Sequence, residues 1–185
     1  MILTTDFRQL LALPCNPLVL ACGCFDLLTV GHVRHLKAAK QMGKSLCVLV
    51  TADRHVNKPG RPIVPESQRV EVVDALGCVD YTIMNPYPTA VEAIRSLRPQ
   101  VYVKGREYRG HHTPTLQQEI AEAVRVDCAL CFTETDEEHT TDVIDKLLKR
   151  SANRMLKPCR GWIGADGKDP CNLCGWEAEA HAKYP

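Results

Sequence analysis

The sequence predicts an α/β fold, a doubly wound parallel sheet of about five strands, on three observations. Short apolar runs alternate with helical stretches through roughly the first 150 residues. The runs are continuously apolar, as in strands buried on both faces. After Arg150 the pattern stops: glycines, prolines, both tryptophans and three cysteines gather with little periodicity.

Leu18–Cys22 reads as the first buried strand, followed by a loop and a helix from about Gly31 to Met42. Ser45–Thr51 is the second strand. A loop rich in proline and basic residues follows, Asn57-Lys-Pro-Gly-Arg-Pro62, and Pro65 then opens a helix with Val70, Val73 and Leu76 on one face. Val79–Met84, Gln100–Val103 and Val126–Phe132 supply three more strands. Helices are expected near Thr89–Leu97, Thr115–Val124 and Thr141–Arg150. Strand–helix alternation implies right-handed crossovers and a Rossmann-like sheet covered on both faces. Residues 1–150 would form this domain, and residues 151–185 a short cysteine-containing C-terminal appendage. Ligands of such sheets collect beyond the carboxyl ends of the strands, here the loops that begin at Gly23, Thr51, Lys104 and Thr133.

Composition narrows the partners. With 45% hydrophobic and 24% charged residues in 185, the chain is an ordinary globular mixture. A formal net charge of +1 supplies no global field for nucleic acid or an anionic membrane, and neither is expected as a partner. No stretch approaches a transmembrane helix, and Met1–Arg8 has no basic region leading into a long apolar run. Cys22, Cys24, Cys47, Cys78, Cys128 and Cys131 lie in apolar runs and read as reduced thiols, which suits a cytoplasmic protein.

The chemistry concentrates in Gly23-Cys-Phe-Asp-Leu-Leu-Thr-Val-Gly-His-Val-Arg-His-Leu36. This segment leaves a strand and enters a helix, where free N–H groups and the helix dipole favour an anion. Gly23 and Gly31 let the backbone approach a ligand. Thr29 and His32, three apart at the helix entry, can face one phosphate. An isolated Gly-His reads more readily as a turn cap than as a phosphate donor, and only the whole segment favours the phosphate. Asp26 suits either a substrate hydroxyl or fixing of the loop, and Phe25 a place in the core with its N–H lining the site. His111 and His112 fall where an acceptor pocket would be expected, although adjacent histidines in a polar loop are more often merely exposed.

This segment resembles the signature G-x-F-D-x-x-[HT]-x-G-H of the cytidylyltransferase-like nucleotidyltransferase superfamily. Most members have histidine where this chain has Thr29; phosphopantetheine adenylyltransferases use T-x-G-H. Four further stretches, in order, resemble bacterial heptose 1-phosphate adenylyltransferase domains. Lys58-Pro-Gly-Arg-Pro62 is similar to K-G-P-G-R-P, and Pro65-Glu-Ser-Gln-Arg69 to P-x-E-Q-R. Val103-Lys-Gly-Arg-Glu-Tyr108 is similar to V-K-G-G-D-Y, and His139-Thr-Thr-Asp-Val-Ile144 to the S-T-T-N-I-I helix start that holds a triphosphate.

The resemblance implies a nucleotidyltransferase that moves AMP from ATP to a sugar phosphate or similar small phosphate and releases pyrophosphate, with Mg²⁺ on the triphosphate. The implied catalytic residues are His32, Thr29 and Lys58. Cys24, Phe25, Gly31, His32, Lys104, Gly105, Thr140 and Thr141 would contact the nucleotide, and Asp26 the substrate. Lys58 sits in a loop that proline and glycine keep irregular, as a phosphate-reaching lysine requires. Thr140 and Thr141 suit helix capping as well as phosphate binding.

A CTP-dependent glycerol-phosphate cytidylyltransferase is the alternative enzyme. Its R-T-E-G-I-S-T-T contains an arginine that Phe132–Thr141 lacks, which favours ATP over CTP. A nucleotide-binding regulatory protein that has lost catalysis is the alternative of another class. The expected partners are the nucleotide, the phosphorylated acceptor and a second copy of the chain in a homodimer.

Pro170-Cys-Asn-Leu-Cys-Gly175 has the spacing of a zinc knuckle. Cys159, Cys171, Cys174 and His181 make a candidate tetrahedral set for a structural zinc, against a reduced tail or a disulfide.

Overall fold

A computed structural model of the chain describes residues 17–135 and 140–155, with the side chains of 152–155 left aside. These fall into two compact units divided between Thr140 and Thr141, each described by itself. In the first unit the elements are β1 (Leu18–Gly23), α1 (Val30–Lys40), β2 (Ser45–Thr51), α2 (Glu66–Asp74), β3 (Tyr81–Asn85), α3 (Val91–Leu97), β4 (Val101–Gly105), α4 (Pro114–Arg125) and β5 (Ala129–Thr133). Short 3-10 turns follow β2 at Asp53–His55 and β4 at Arg106–Tyr108. The second unit begins within α5 (Thr140–Met155).

Among the described residues the five strands form one sheet in the order β3-β2-β1-β4-β5, and all four pairings are parallel. The expected Rossmann-like α/β sheet is therefore present. Alternation along the central strands divides the apolar residues between two cores. Val19, Ala21, Leu46, Val48, Val50 and Val103 pack with Leu36 and Ala39 of α1 and Val70 and Val73 of α2. Leu18, Leu20, Cys47, Leu49 and Tyr102 pack on the other face with Ala93, Ile94 and Leu97 of α3 and Ala123 of α4. The chain winds outward from β1 to β3, then returns to place β4 beside β1. The ends of β1 and β4, Gly23 and Gly105, flank the switch point where α/β sheets of this kind bind ligands.

The third and fourth strands begin two and one residues later than expected, at Tyr81 and Val101, and the fifth departs furthest. Val126–Cys128 read as the start of a strand but form the turn that closes α4. The Val126 N–H donates to the Glu122 carbonyl, Asp127 adopts φ 60°, and the Cys128 N–H returns to the Ala123 carbonyl. Val126 and Cys128 are apolar because they cover the α3/α4 core, and β5 starts only at Ala129. Similarly, α1 ends at Lys40, and Gln41 and Met42 belong to the turn after it.

No helix among the described residues is long and apolar enough to cross a membrane. His139 and the tail residues Cys159, Cys171, Cys174 and His181 lie outside the described residues.

Candidate active site

The β1–α1 connection is held by packing and by hydrogen bonds that its residue types explain. Phe25 is buried against the α1/α2 core with φ 51°, a left-handed backbone that is costly for a bulky residue. Its ring lies over Gly23: a Cβ there would meet the ring at 2.9 Å, so the glycine is required by close approach. The Phe25 ring supports His32 edge-on, with centroids 5.6 Å apart at 66°. Thr29 caps α1 with an extended backbone. Its N–H donates to His32 Nδ1 at 3.0 Å, and its Oγ1 lies 2.9 Å from the same nitrogen. His32 and Gly31 thus stand in the first turn of α1, where the helix presents its free N–H groups.

The Asp26 side chain is tied to the basic loop. Its buried carboxylate accepts from the N–H groups of Ile63 and Val64, both at 2.8 Å, and pairs with the Arg61 guanidinium. Burial pushes its carboxyl up, but the Val64 N–H, Arg61 and the Ile63 N–H outweigh burial and hold it below the ordinary value. The basic loop is drawn back toward β1 in this way. Lys58 remains exposed and acts on the Cys24 thiol through its charge, together with Arg69 and Arg61 and against Asp26. Burial dominates, and Cys24 is pushed above its usual range.

Arg69, the last residue of the P-x-E-Q-R-like stretch, is the largest fully buried side chain among the described residues. Its guanidinium donates to the carbonyls of Cys24, Thr51 at 2.8 Å and Val64 at 2.9 Å, and to Asp53 Oδ1 at 2.6 Å. One cation therefore ties the ends of β1 and β2 to the entry of α2. The available signal was its place beside Val70 and four residues before Val73, on the apolar stripe of α2.

Lys104 is also committed inside the protein. It is 8% exposed and pairs with Glu119 of α4 at 2.9 Å. Its ammonium lies 5.1 Å from the Tyr102 ring centroid and 4.9 Å from that of Tyr108. Glu119 further accepts from the Tyr102 hydroxyl at 2.9 Å and the Ala90 N–H at 3.0 Å. Burial disfavours the ammonium, but the Glu119 carboxylate beside it outweighs burial and keeps Lys104 above its ordinary value. Burial pushes the neighbouring Cys22 thiol up to about 11, against the pull of Lys104. Lys104 and Gly105 therefore reach the ligand edge as a strand end whose cation is already neutralised. The Thr140 hydroxyl donates to the Leu27 carbonyl at 3.0 Å, in the β1–α1 loop. Thr141 is the second residue of α5 and is exposed; His111 and His112 are exposed as well.

A second histidine stands one turn beyond His32. His35 is 7% exposed, and its Nδ1 lies 2.8 Å from Thr133 Oγ1 at the end of β5. Burial, then the charges of His32 and Lys104, push it down to about 4 from an ordinary 6.5. Between those values the unfolded chain binds a proton that the folded chain refuses, so stability rises with pH through that window. Stability from this group is complete above about pH 6.5 and falls toward pH 4 by about 3 kcal/mol. Denaturant unfolding at pH 7 and pH 4.5 should show this loss, and His35→Gln should shrink it. Parallel pH profiles for the two proteins would contradict the assignment.

The comparisons agree with this geometry. The profile of the cytidylyltransferase-like family matches residues 20–146. The bifunctional protein HldE of Syntrophotalea carbinolica is 35% identical over 133 residues, which are 69% of this chain and 26% of that protein. The chain thus spans about a quarter of that relative's length. The FAD synthase of Methanosarcina mazei is 35% identical over 142 residues, 71% of this chain and 89% of that one. The crystal structure of a lipopolysaccharide core biosynthesis protein from Thermoplasma volcanium shares the fold, with a TM-score of 0.55 at 24% identity over 65% of this chain and 98% of that one. On the family match, the two relatives and the Gly23–Leu36 segment at the sheet's switch point, the chain belongs to the cytidylyltransferase-like family of nucleotidyltransferases.

Proposed function

We propose that this chain transfers AMP from ATP to a sugar phosphate or similar small phosphorylated acceptor and releases pyrophosphate. The observation that carries the reading is the β1–α1 entry, where His32 stands in the first turn of a helix at the switch point. Negative charge that builds on an α-phosphate there meets free helix N–H groups and an imidazole donor held in advance.

In the proposed step an acceptor phosphate oxygen attacks the α-phosphorus in line. The bond from that phosphorus to the bridging oxygen breaks, and its electron pair leaves with pyrophosphate. His32 stabilises the charge in transit, and Lys58 reaches the phosphates from the exposed loop. Cys24, Phe25, Gly31 and Gly105 contribute backbone at the strand and helix ends, with Thr140 and Thr141 at the departing phosphates. A Mg²⁺ ion would be held chiefly by the triphosphate and would offset its charge. The carboxylates of Asp26 and Asp53 are engaged by Arg61 and Arg69, and no group of three or more His, Cys, Asp or Glu among the described residues could hold a metal. An ion carried largely by substrate phosphates suits such a site.

Two features support ATP over CTP: the Val103–Tyr108 stretch of the adenylyltransferase type, and a Phe132–Thr141 stretch without arginine. One relative is by its name a synthase of FAD, an adenine dinucleotide. A site that hydrogen-bonds one base leaves polar groups unpaired with the other, so discrimination can be large. ATP with Mg²⁺ should raise the melting temperature more than CTP does. A larger shift with CTP, or CMP transfer without AMP transfer, would overturn the nucleotide assignment and leave the transferase reading standing. A cytoplasmic homodimer is part of the same reading. The zinc set of Cys159, Cys171, Cys174 and His181 rests on sequence spacing alone.

A further inference from the structure

Thr29 and His32 form a closer unit than two donors converging on one phosphate. The Thr29 N–H can only donate, so the Nδ1 that receives it at 3.0 Å carries no proton in the neutral ring, and the imidazole proton sits on Nε2. Thr29 Oγ1, 2.9 Å from the same Nδ1, is placed to donate its hydroxyl proton there as well. A hydroxyl proton spent on Nδ1 is not available to a phosphate. The ring's tilt is fixed from the side by Phe25, whose own place depends on Gly23.

We propose that Thr29 is a positioning residue, which holds His32 in its Nε2–H form through two contacts on Nδ1 and does not touch the phosphate itself. The inference rests on the transferase reading for its consequence, since an Nε2–H donor is what a charge-gathering α-phosphate needs. Orientation of an imidazole through its far nitrogen is the arrangement that gives other histidine sites their defined tautomer.

The test has two arms. In the unliganded protein at neutral pH, nitrogen NMR of the histidine rings should find His32 in the Nε2–H form. Thr29→Val keeps the backbone N–H on Nδ1 but loses the hydroxyl, so it should shift the Nδ1 resonance and weaken the preference for the Nε2–H form. Thr29→Ser should restore the wild-type spectrum, with thermal melts showing that both variants fold. In turnover, Thr29→Val should lower kcat about tenfold with KM for ATP nearly unchanged, and Thr29→Ser should recover it. The Thr29→Val effect should vanish in a His32→Ala background, because a residue that acts through His32 has nothing left to act on. An Nδ1–H wild type, a Thr29→Val spectrum identical to wild type, or the same tenfold loss in both backgrounds would overturn the proposal. Absence of turnover in every protein would remove the transferase reading, while the spectra still decide the tautomer.

Discussion

Alanine in place of His32 is expected to lower turnover by about two to three orders of magnitude while the protein stays folded. Loss of one preorganised donor from a developing oxyanion costs about 3 kcal/mol of transition-state stabilisation. The surroundings argue that little else is lost. His32 is only half-buried, and its Nδ1 accepts from the Thr29 N–H. The Phe25 ring loses its edge-on neighbour but keeps its seat over Gly23 and in the α1/α2 core. Steady-state kinetics beside a thermal melt separate the two effects. Turnover near wild type would remove His32 from the chemistry.

Leucine in place of Glu119 should cost the fold about 3–5 kcal/mol, because it leaves the Lys104 ammonium buried without its carboxylate. The Tyr102 hydroxyl and the Ala90 N–H lose their acceptor in the same change. The tyrosine rings on either side of the ammonium offset only part of this loss. Against a typical total of about 5–15 kcal/mol, the variant would be near the limit of folding. Adding Lys104→Met should recover much of the stability, since an apolar pair of similar volume can replace a buried ion pair at little cost. Urea unfolding of the single and double variants measures both. A single-variant loss below about 1 kcal/mol would show that the pair contributes little, as an exposed ion pair would.

These two residues mark the boundary of what the sequence makes legible. The Gly23–Leu36 segment could be read from local order alone, because a turn between a strand and a helix puts its donors together by chain connectivity. The sheet was legible for a similar reason: apolar runs of strand length separated by helices leave few topologies. The roles of Glu119, Arg69 and His35 depend on partners far along the chain. Thr133, for example, is 98 residues from His35. A glutamate in a helix reads as solvated until its partner is known. The usable signal lies in position. Glu119 falls three after Leu116 and four before Ala123, Arg69 four before Val73, and His35 four before Ala39, each on a stripe that the fold buries. A charged or titratable residue inside such a stripe needs a partner. Val126–Cys128 show the converse case, in which apolar residues cover a core from a turn and imitate a strand.

The central claim is that the α-phosphate, and not the γ-phosphate, is the reacting centre. ATP labelled at the α-position should be incubated with the protein, Mg²⁺ and a panel of sugar, polyol and flavin phosphates. The label is expected to appear in an acceptor-linked product with one pyrophosphate released per transfer, and γ-labelled ATP should yield label only in pyrophosphate. Label from the γ-position in the acceptor, or α-label that stays in unreacted nucleotide across the panel while ATP binding persists, would contradict the claim.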